Sequence, residues 1–263
     1  MTSFITTTKF ALICTGFCLL LGSCGYEELA EADYPQQVLY MPTAKNGVFA
    51  IASIPTVGTY RFTINLTDKK LIVPHSVFRG GVSADGDLPV TVAANADTIS
   101  KLITAQALVG TVALPTDKFV LPGTVTIANG KTAAPFDLRI DLDYLRANPA
   151  QKLAVGVSIA SAQATVNPLL KTTIITLDPS ILFPTVTFTT KADATTPRKI
   201  TFTNTSLNAV SYAWDFGDGS AAVTDAAPTY TYAAAGTYTV TLTATGITGS
   251  TDAVKKTTTI TVL

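Results

Sequence analysis

The side chains best suited to acid–base chemistry are three aspartates and a single histidine. Asp137, Asp141 and Asp143 lie close together, and hydrolysis of a glycosidic bond needs a carboxylic acid that protonates the leaving oxygen. Two of them, however, alternate with apolar residues through residues 136–142, which is typical of a solvated strand face. His75 has no neighbouring cysteine or acidic cluster, so it indicates neither a metal site nor a base. We therefore expect no enzyme and no catalytic, cofactor-binding or metal-ligating residues.

A second acidic group lies near residue 215. Asp215 and Asp218, with Asp225 nearby, could offer carboxylate oxygens to Ca²⁺, but a calcium cage needs more acids than this loop shows. We favour the alternative, in which Asp215 accepts hydrogen bonds from the turn backbone. The Asp218-Gly219 pair predicts the positive φ angles of a tight hairpin.

The only tryptophan, Trp214, could be a platform for a sugar ring. Val210, Tyr212 and Phe216 alternate with the same period of two, so all four side chains are predicted to share one strand face. A face of this kind is typical of a sandwich core, and we expect Trp214 to lie there.

Cys24 has the most definite chemistry in the chain. The apolar run from Phe10 to Leu21 follows a single charged residue, Lys9. Its length is typical of a secretory signal and shorter than the about 20 residues that a membrane span needs. Leu21-Gly22-Ser23-Cys24 is typical of a bacterial lipobox. We therefore predict cleavage after residues 1–23, with lipid on the sulfur and the new amino group of Cys24.

The other two cysteines, Cys14 and Cys18, lie in the apolar run, so the mature chain would keep one cysteine and no disulfide. Residues 24–35 follow as an acidic tether with four acids and no base. Acids directly after the lipidated cysteine also resemble the surface-export signal of Bacteroidota lipoproteins. We expect a lipid-anchored outer-membrane protein that faces the exterior, with the membrane as its partner.

The bulk composition points to β-structure and away from nucleic acid. The chain has 263 residues with 18 basic and 18 acidic side chains, and no basic patch that would bind phosphates. Its length suits two domains. Residues 60–66, 136–142 and 153–159 alternate apolar and polar or small side chains, as half-buried strands do.

Helices and linkers are predicted at few places. Asn95 or Asp97 could cap one short helix, and a second short turn is expected from Tyr144 to Asn148. A first domain is predicted over residues 36–178. The proline-rich stretch 179–184 is a short linker whose apolar residues we expect to pack between the domains.

The C-terminal part resembles a PKD domain. The resemblance rests on Trp214-Asp215-Phe216-Gly217-Asp218-Gly219, on Pro228-Thr229-Tyr230-Thr231-Tyr232 and on Gly236-Thr237-Tyr238-Thr239-Val240. It covers about residues 185–263 and departs from many members at Tyr230, where they carry histidine. It implies an immunoglobulin-like β-sandwich, common in extracellular proteins.

The first domain resembles the N-terminal domain of unknown function in Bacteroidota surface lipoproteins. The resemblance rests on the order of several motifs: residues 95–98, 113–121, 125–131, 153–162 and 173–177. It implies a second immunoglobulin-like sandwich and an association with glycan handling, because the domain often precedes glycoside hydrolase or lectin-like modules.

The sequence thus predicts an all-β chain with two tandem immunoglobulin-like sandwiches behind a lipoprotein signal peptide. The expected function is a non-enzymatic surface accessory in glycan binding or adhesion, with polysaccharide or other surface proteins as partners and no nucleic acid. The alternative is a structural spacer that displays or supports other proteins. Fold alone is weak evidence for either function.

Overall fold

A computed structural model describes residues 37–54 and 61–263. The predicted signal peptide, the lipid attachment at Cys24 and the acidic tether therefore lie outside the described residues. No helix in the described part of the chain is both long and apolar enough to cross a membrane.

The described part of the first domain consists of two six-stranded sheets. The first sheet has the order β11-β1-β4-β9-β7, with β3 paired to β4, and the second has the order β2-β12-β10-β5-β8, with β6 paired to β10. The strands are β1 Val38–Tyr40, β2 Val48–Ile51, β3 Thr63–Asn65, β4 Lys70–Gly80, β5 Leu88–Ala94, β6 Thr111–Ala113, β7 Phe119–Val120, β8 Thr124–Ile127, β9 Ala133–Asp141, β10 Lys152–Ala160, β11 Thr165–Val166 and β12 Thr172–Leu177.

Strand alternation builds the core between these sheets. In β9, Phe136, Leu138 and Ile140 are buried while Asp137 is exposed, as the sequence predicted. The predicted strand over residues 60–66 is shorter, because only Thr63–Asn65 pairs with β4 and Leu66 is exposed in the turn that follows.

The prediction that β10 is half-buried is wrong. Leu153, Val155 and Val157 face the core as expected, but Ala154 and Gly156 on the other side are buried as well. The physical reason is a helix that lies against the outer face of the strand and packs Ile99 onto Ala154. A small residue at position 156 is needed there, because a Cβ would lie 2.6 Å from the carbonyl oxygen of Asn95.

Two α-helices are present among the described residues of the first domain, where the sequence predicted one. The first, α1 (Ala96–Thr104), begins after Asn95, whose side chain accepts a hydrogen bond from the Thr98 amide. The second, α2 (Leu142–Ala147), was expected only as a turn. Its first turn is fixed by the Asp141 cap. Short 3₁₀ helices span Pro42–Asn46, Thr116–Lys118 and Pro179–Leu182.

The second domain is a smaller sandwich of two three-stranded sheets, ordered β13-β14-β16 and β15-β17-β18. Its strands are β13 Phe188–Ala192, β14 Lys199–Asn204, β15 Ser211–Asp215, β16 Thr229–Thr231, β17 Gly236–Gly246 and β18 Gly249–Val262. The all-β, two-sandwich prediction is confirmed.

The core of the second sandwich is aromatic. Trp214 is fully buried, with its ring centroid 5.0 Å from that of Phe188 and 5.3 Å from that of Phe202. The prediction that it fills the core is confirmed. Val210, which was expected on the same face, precedes the strand and is 59% exposed.

The stretch predicted as a linker, residues 179–184, packs mainly onto the first sandwich. Ile181 and Leu182 are fully buried and belong to the first core, and Phe183 packs against the same core. Ile247, in the turn between β17 and β18, also packs there, and Thr248 donates a hydrogen bond to the Leu182 carbonyl. The tip of the last hairpin therefore docks onto the first sandwich.

Candidate functional site

The three aspartates singled out in the sequence do not converge on one site. Asp141 caps α2 by accepting from the Tyr144 amide, which lowers the pKa of its carboxyl group. Asp143 pairs with Lys69 at 2.8 Å. Asp137 is exposed on β9 and takes part in none of the ion pairs of the described residues. These aspartates therefore lie on a strand face and at a helix N-terminus and do not form an acid–base pair.

His75 lies in the core-facing row of β4 and is 5% exposed. Its ring packs between Phe49 and Phe136, at centroid distances of 5.6 and 5.7 Å, and neither ring nitrogen has a hydrogen-bond partner. Burial lowers the pKa of His75 to about 4, against a small opposing effect of Asp137. The imidazole is therefore neutral near pH 7.

The aspartates near residue 215 accept hydrogen bonds from the loop backbone and do not form a cation cage. Asp215 accepts from the Gly217 amide at 2.9 Å, and Asp218 accepts from the Ser220 amide and the Tyr230 hydroxyl. The Tyr230 hydroxyl is the main reason why the pKa of Asp218 is lowered. Within residues 37–54 and 61–263, no three His, Cys, Asp or Glu side chains cluster as metal ligands would.

The prediction of a tight hairpin at Asp218-Gly219 is wrong. Positive φ angles occur at Gly217 and Gly219, but not at Asp218. The loop is wider and closes at an isolated bridge between Trp214 and Val223, where each amide donates to the other residue's carbonyl. The carboxylates stabilise this loop because they accept its free amides.

A partly exposed aromatic surface lies on the outer side of the first sheet, and we call it the aromatic face. Tyr40 in β1 is the direct cross-strand partner of Phe78 in β4, and their ring centroids are 5.8 Å apart with planes inclined by 27°. Both rings are only half-buried. The face is completed by three exposed prolines from the neighbouring backbone: Pro42, Pro74 and Pro135.

The aromatic face has a groove of about 360 Å³ bordered by polar groups. Asp137 is the cross-strand partner of Pro74, and Ser76 is the partner of Pro135. Thr43 also lines the groove, but its hydroxyl lies 2.8 Å from that of the buried Thr173 in β12. Flat apolar surface next to a few hydroxyl and carboxylate groups is an arrangement that suits a sugar ring, whose faces are apolar and whose edges carry hydroxyls.

Sequence reasoning missed this face, although a signal was present. In β4 the outward positions should be polar if one side of the sheet meets water. Instead, Ile72, Pro74 and Phe78 occupy outward positions alongside Ser76. Such an apolar outward row is the anomaly that could have identified the face, but Tyr40 joins it only through the pairing of β1 with β4.

Fold and surface together define a tandem β-sandwich protein with a partly exposed aromatic face on its first sandwich. A family model for the PKD domain matches residues 183–262. A second model, described as "-like, N-terminal domain", matches residues 35–166, which is half of the chain. The chain therefore belongs to the family of that N-terminal domain and carries a PKD domain behind it. Both resemblances inferred from the sequence are confirmed.

Among curated proteins, the chain is similar to the pre-pro-metalloprotease PrtV of Vibrio cholerae, with 33% identity over 125 residues. The match covers 47% of this chain and 12% of that protein.

Three solved structures illustrate the range of similarity. The PKD1 domain of Vibrio cholerae PrtV is 40% identical, covering 30% of this chain and 96% of that domain at a TM-score of 0.27. An auxiliary nutrient binding protein from Bacteroides thetaiotaomicron is 14% identical, and the match covers 82% of this chain and 71% of that protein at a TM-score of 0.37. A multidomain protein including DUF1735 from Bacteroides ovatus is 15% identical, and the match covers 79% of this chain and 60% of that protein at a TM-score of 0.38.

Proposed function

We propose that this protein is a non-enzymatic surface accessory that binds glycan through the aromatic face. The observation that carries the proposal is the stacked, partly exposed pair of Tyr40 and Phe78, of which Phe78 lines the same groove as Asp137. Partly exposed aromatic rings that are held by a sheet suit ligand binding, because little side-chain entropy is lost on contact.

A glycan array tests this proposal directly. The wild-type protein should bind a defined subset of glycans, and Tyr40→Ala should lose that binding because half of the paired aromatic surface is removed. A matched control is Val112→Ala, since Val112 is 48% exposed but lies in β6 of the opposite sheet. The control should bind like the wild type. A wild-type array without any signal would contradict the proposal.

Attachment to a membrane belongs to the same proposal. Cys24 follows an apolar segment and Leu21-Gly22-Ser23, and this pattern supports lipidation and an outer-membrane location facing the exterior. Cys24→Ala should abolish labelling by a fatty-acid analogue and release the protein from membranes. Retention of a Cys24→Ala variant in washed membranes would show that the anchor is wrongly assigned.

The alternative function, a spacer or scaffold, is favoured by one observation. Arg146 in the first sandwich pairs with Asp252 in the second, and the docked hairpin tip adds Thr248 to the same joint. Two domains with fixed contacts between them suit a spacer, because the contacts limit their relative movement. A glycan array without signal, together with solution scattering that fits one fixed arrangement of the two sandwiches, would favour this alternative.

A further inference from the structure

The charge of the groove on the aromatic face is set by one residue. Asp137 is exposed and is the only charged side chain among the described residues that line the groove. The nearest cation on the same strand face, Arg139, is paired with Asp68 at 3.1 Å. The next acid along β9, Asp141, is already paired with Lys70. An occupant of the groove therefore meets an uncompensated carboxylate.

The other residues that line the groove add no positive charge near neutral pH. His75 is one of them, but its ring packs in the core between Phe49 and Phe136, where burial lowers the pKa of the imidazole to about 4. Pro42, Pro74 and Pro135 supply apolar surface and no donors, since proline has no amide hydrogen. Cationic side chains, which acidic sugars need for recognition, are thus missing from the described lining.

We propose that the groove selects uncharged polysaccharides and rejects acidic ones, with Asp137 as the residue that determines this specificity. Its carboxylate accepts hydrogen bonds from the hydroxyl groups of a neutral sugar. The same carboxylate repels the carboxylate of a uronic acid or a sulfate group over the few ångströms that separate them in the groove. The inference rests on the proposed glycan binding and adds the chemical class of the ligand.

Matched pairs of polysaccharides that differ in charge test the inference. The pairs are methyl-esterified pectin with polygalacturonate, hydroxyethyl cellulose with carboxymethyl cellulose, and xylan with glucuronoxylan. Affinity electrophoresis at low salt should show that wild type binds a neutral member at least about tenfold more tightly than its acidic partner. High salt should narrow the ratio, because salt screens the repulsion.

The Asp137→Asn variant assigns the effect to one side chain. It keeps the shape of the residue and can still hydrogen-bond sugar hydroxyls through its amide oxygen and amide N–H groups, but it has no charge, so the neutral-to-acidic ratio should fall to within about threefold. Equal or tighter binding of the acidic members by wild type would overturn the inference while leaving glycan binding intact. A ratio that persists in Asp137→Asn would also overturn it. Failure of wild type to bind any member of the three pairs would count against the proposed function itself.

Discussion

Arg146 and Asp252 join the two sandwiches through a charged hydrogen bond. The Nε and Nη2 atoms of Arg146, on α2, lie 3.0 and 2.9 Å from the same carboxylate oxygen of Asp252, on β18. Both side chains are largely buried, with 21% and 11% of their surface exposed. Charged hydrogen bonds that are partly shielded from water contribute more to stability than surface ion pairs do. The two sandwiches are therefore held together by a specific, largely buried contact.

The first prediction concerns the energetic coupling of the two domains. Trp214 lies in the second core, so its fluorescence reports the unfolding of that sandwich. Arg146→Ala changes only the first sandwich, yet it should lower the free energy of unfolding reported by Trp214 by about 1–2 kcal/mol, because it leaves Asp252 without its partner. Urea denaturation followed by tryptophan fluorescence measures the shift.

A control separates this coupling from a general loss of stability in the first sandwich. Arg139→Ala removes an ion pair with Asp68 that lies wholly within the first sandwich and is about half exposed. This variant should leave the urea unfolding transition reported by Trp214 fluorescence nearly unchanged. If Arg146→Ala behaves in the same way, the two sandwiches unfold independently and the joint contributes nothing.

The second prediction concerns two glycines in the loop after β15. Both have positive φ angles, but a Cβ on Gly217 would lie 2.4 Å from the Thr239 carbonyl oxygen, whereas a Cβ on Gly219 would meet nothing within 4 Å. Gly219→Ala should cost about 1 kcal/mol from backbone strain alone. Gly217→Ala should cost about 2 kcal/mol more, because β17 must shift. Equal melting temperatures of the two variants would contradict the packing described for this loop.

The third prediction concerns the pH dependence of stability. The pKa of His75 is about 4 in the folded protein and 6.5 for the free side chain, so the unfolded chain binds the proton more readily. Its contribution to stability is complete above pH 6.5, falls as the pH drops toward 4, and levels off below that value. The loss over this window is about 3 kcal/mol, from 1.36 kcal/mol for each pKa unit.

His75→Leu should remove this pH dependence. The leucine fits an apolar site between Phe49 and Phe136 without a titratable group, so stability at pH 7 should change by less than about 1.5 kcal/mol. Thermal melts of both proteins between pH 4 and pH 7 provide the comparison. A wild-type melting temperature that falls no more than that of the variant would refute the burial argument.

Much of the fold follows from local sequence patterns. The alternation in β9, the Asn95 cap and the aromatic core around Trp214 each depend on neighbouring residues and could be predicted. The burial of both faces of β10 could not, because α1 covers its outer face only in the folded chain. The placement of Ile181 in the first core likewise depends on tertiary packing that proline spacing does not encode.

The candidate site was the least predictable part for a related reason. Tyr40 and Phe78 are 38 positions apart in the sequence and meet only because β1 pairs with β4. The residues with obvious chemistry, such as Trp214 and Asp215, were predicted to be structural, and the structure confirms this. A binding surface made of half-buried rings and prolines has no spacing signature, since it depends on register rather than on a motif.

The central claim is that the ring of Phe78 contacts sugar, and a titration across three variants tests it most directly. Calorimetric titration of the tightest array ligand should give similar affinities for wild type and Phe78→Tyr, which keeps the ring. Phe78→Leu keeps apolar bulk but loses the aromatic surface, and it should bind about tenfold more weakly, equivalent to about 1.4 kcal/mol. Trp214 fluorescence, which reports the second core, and melting temperature check that the variants are folded. Wild-type affinity in Phe78→Leu would contradict the account.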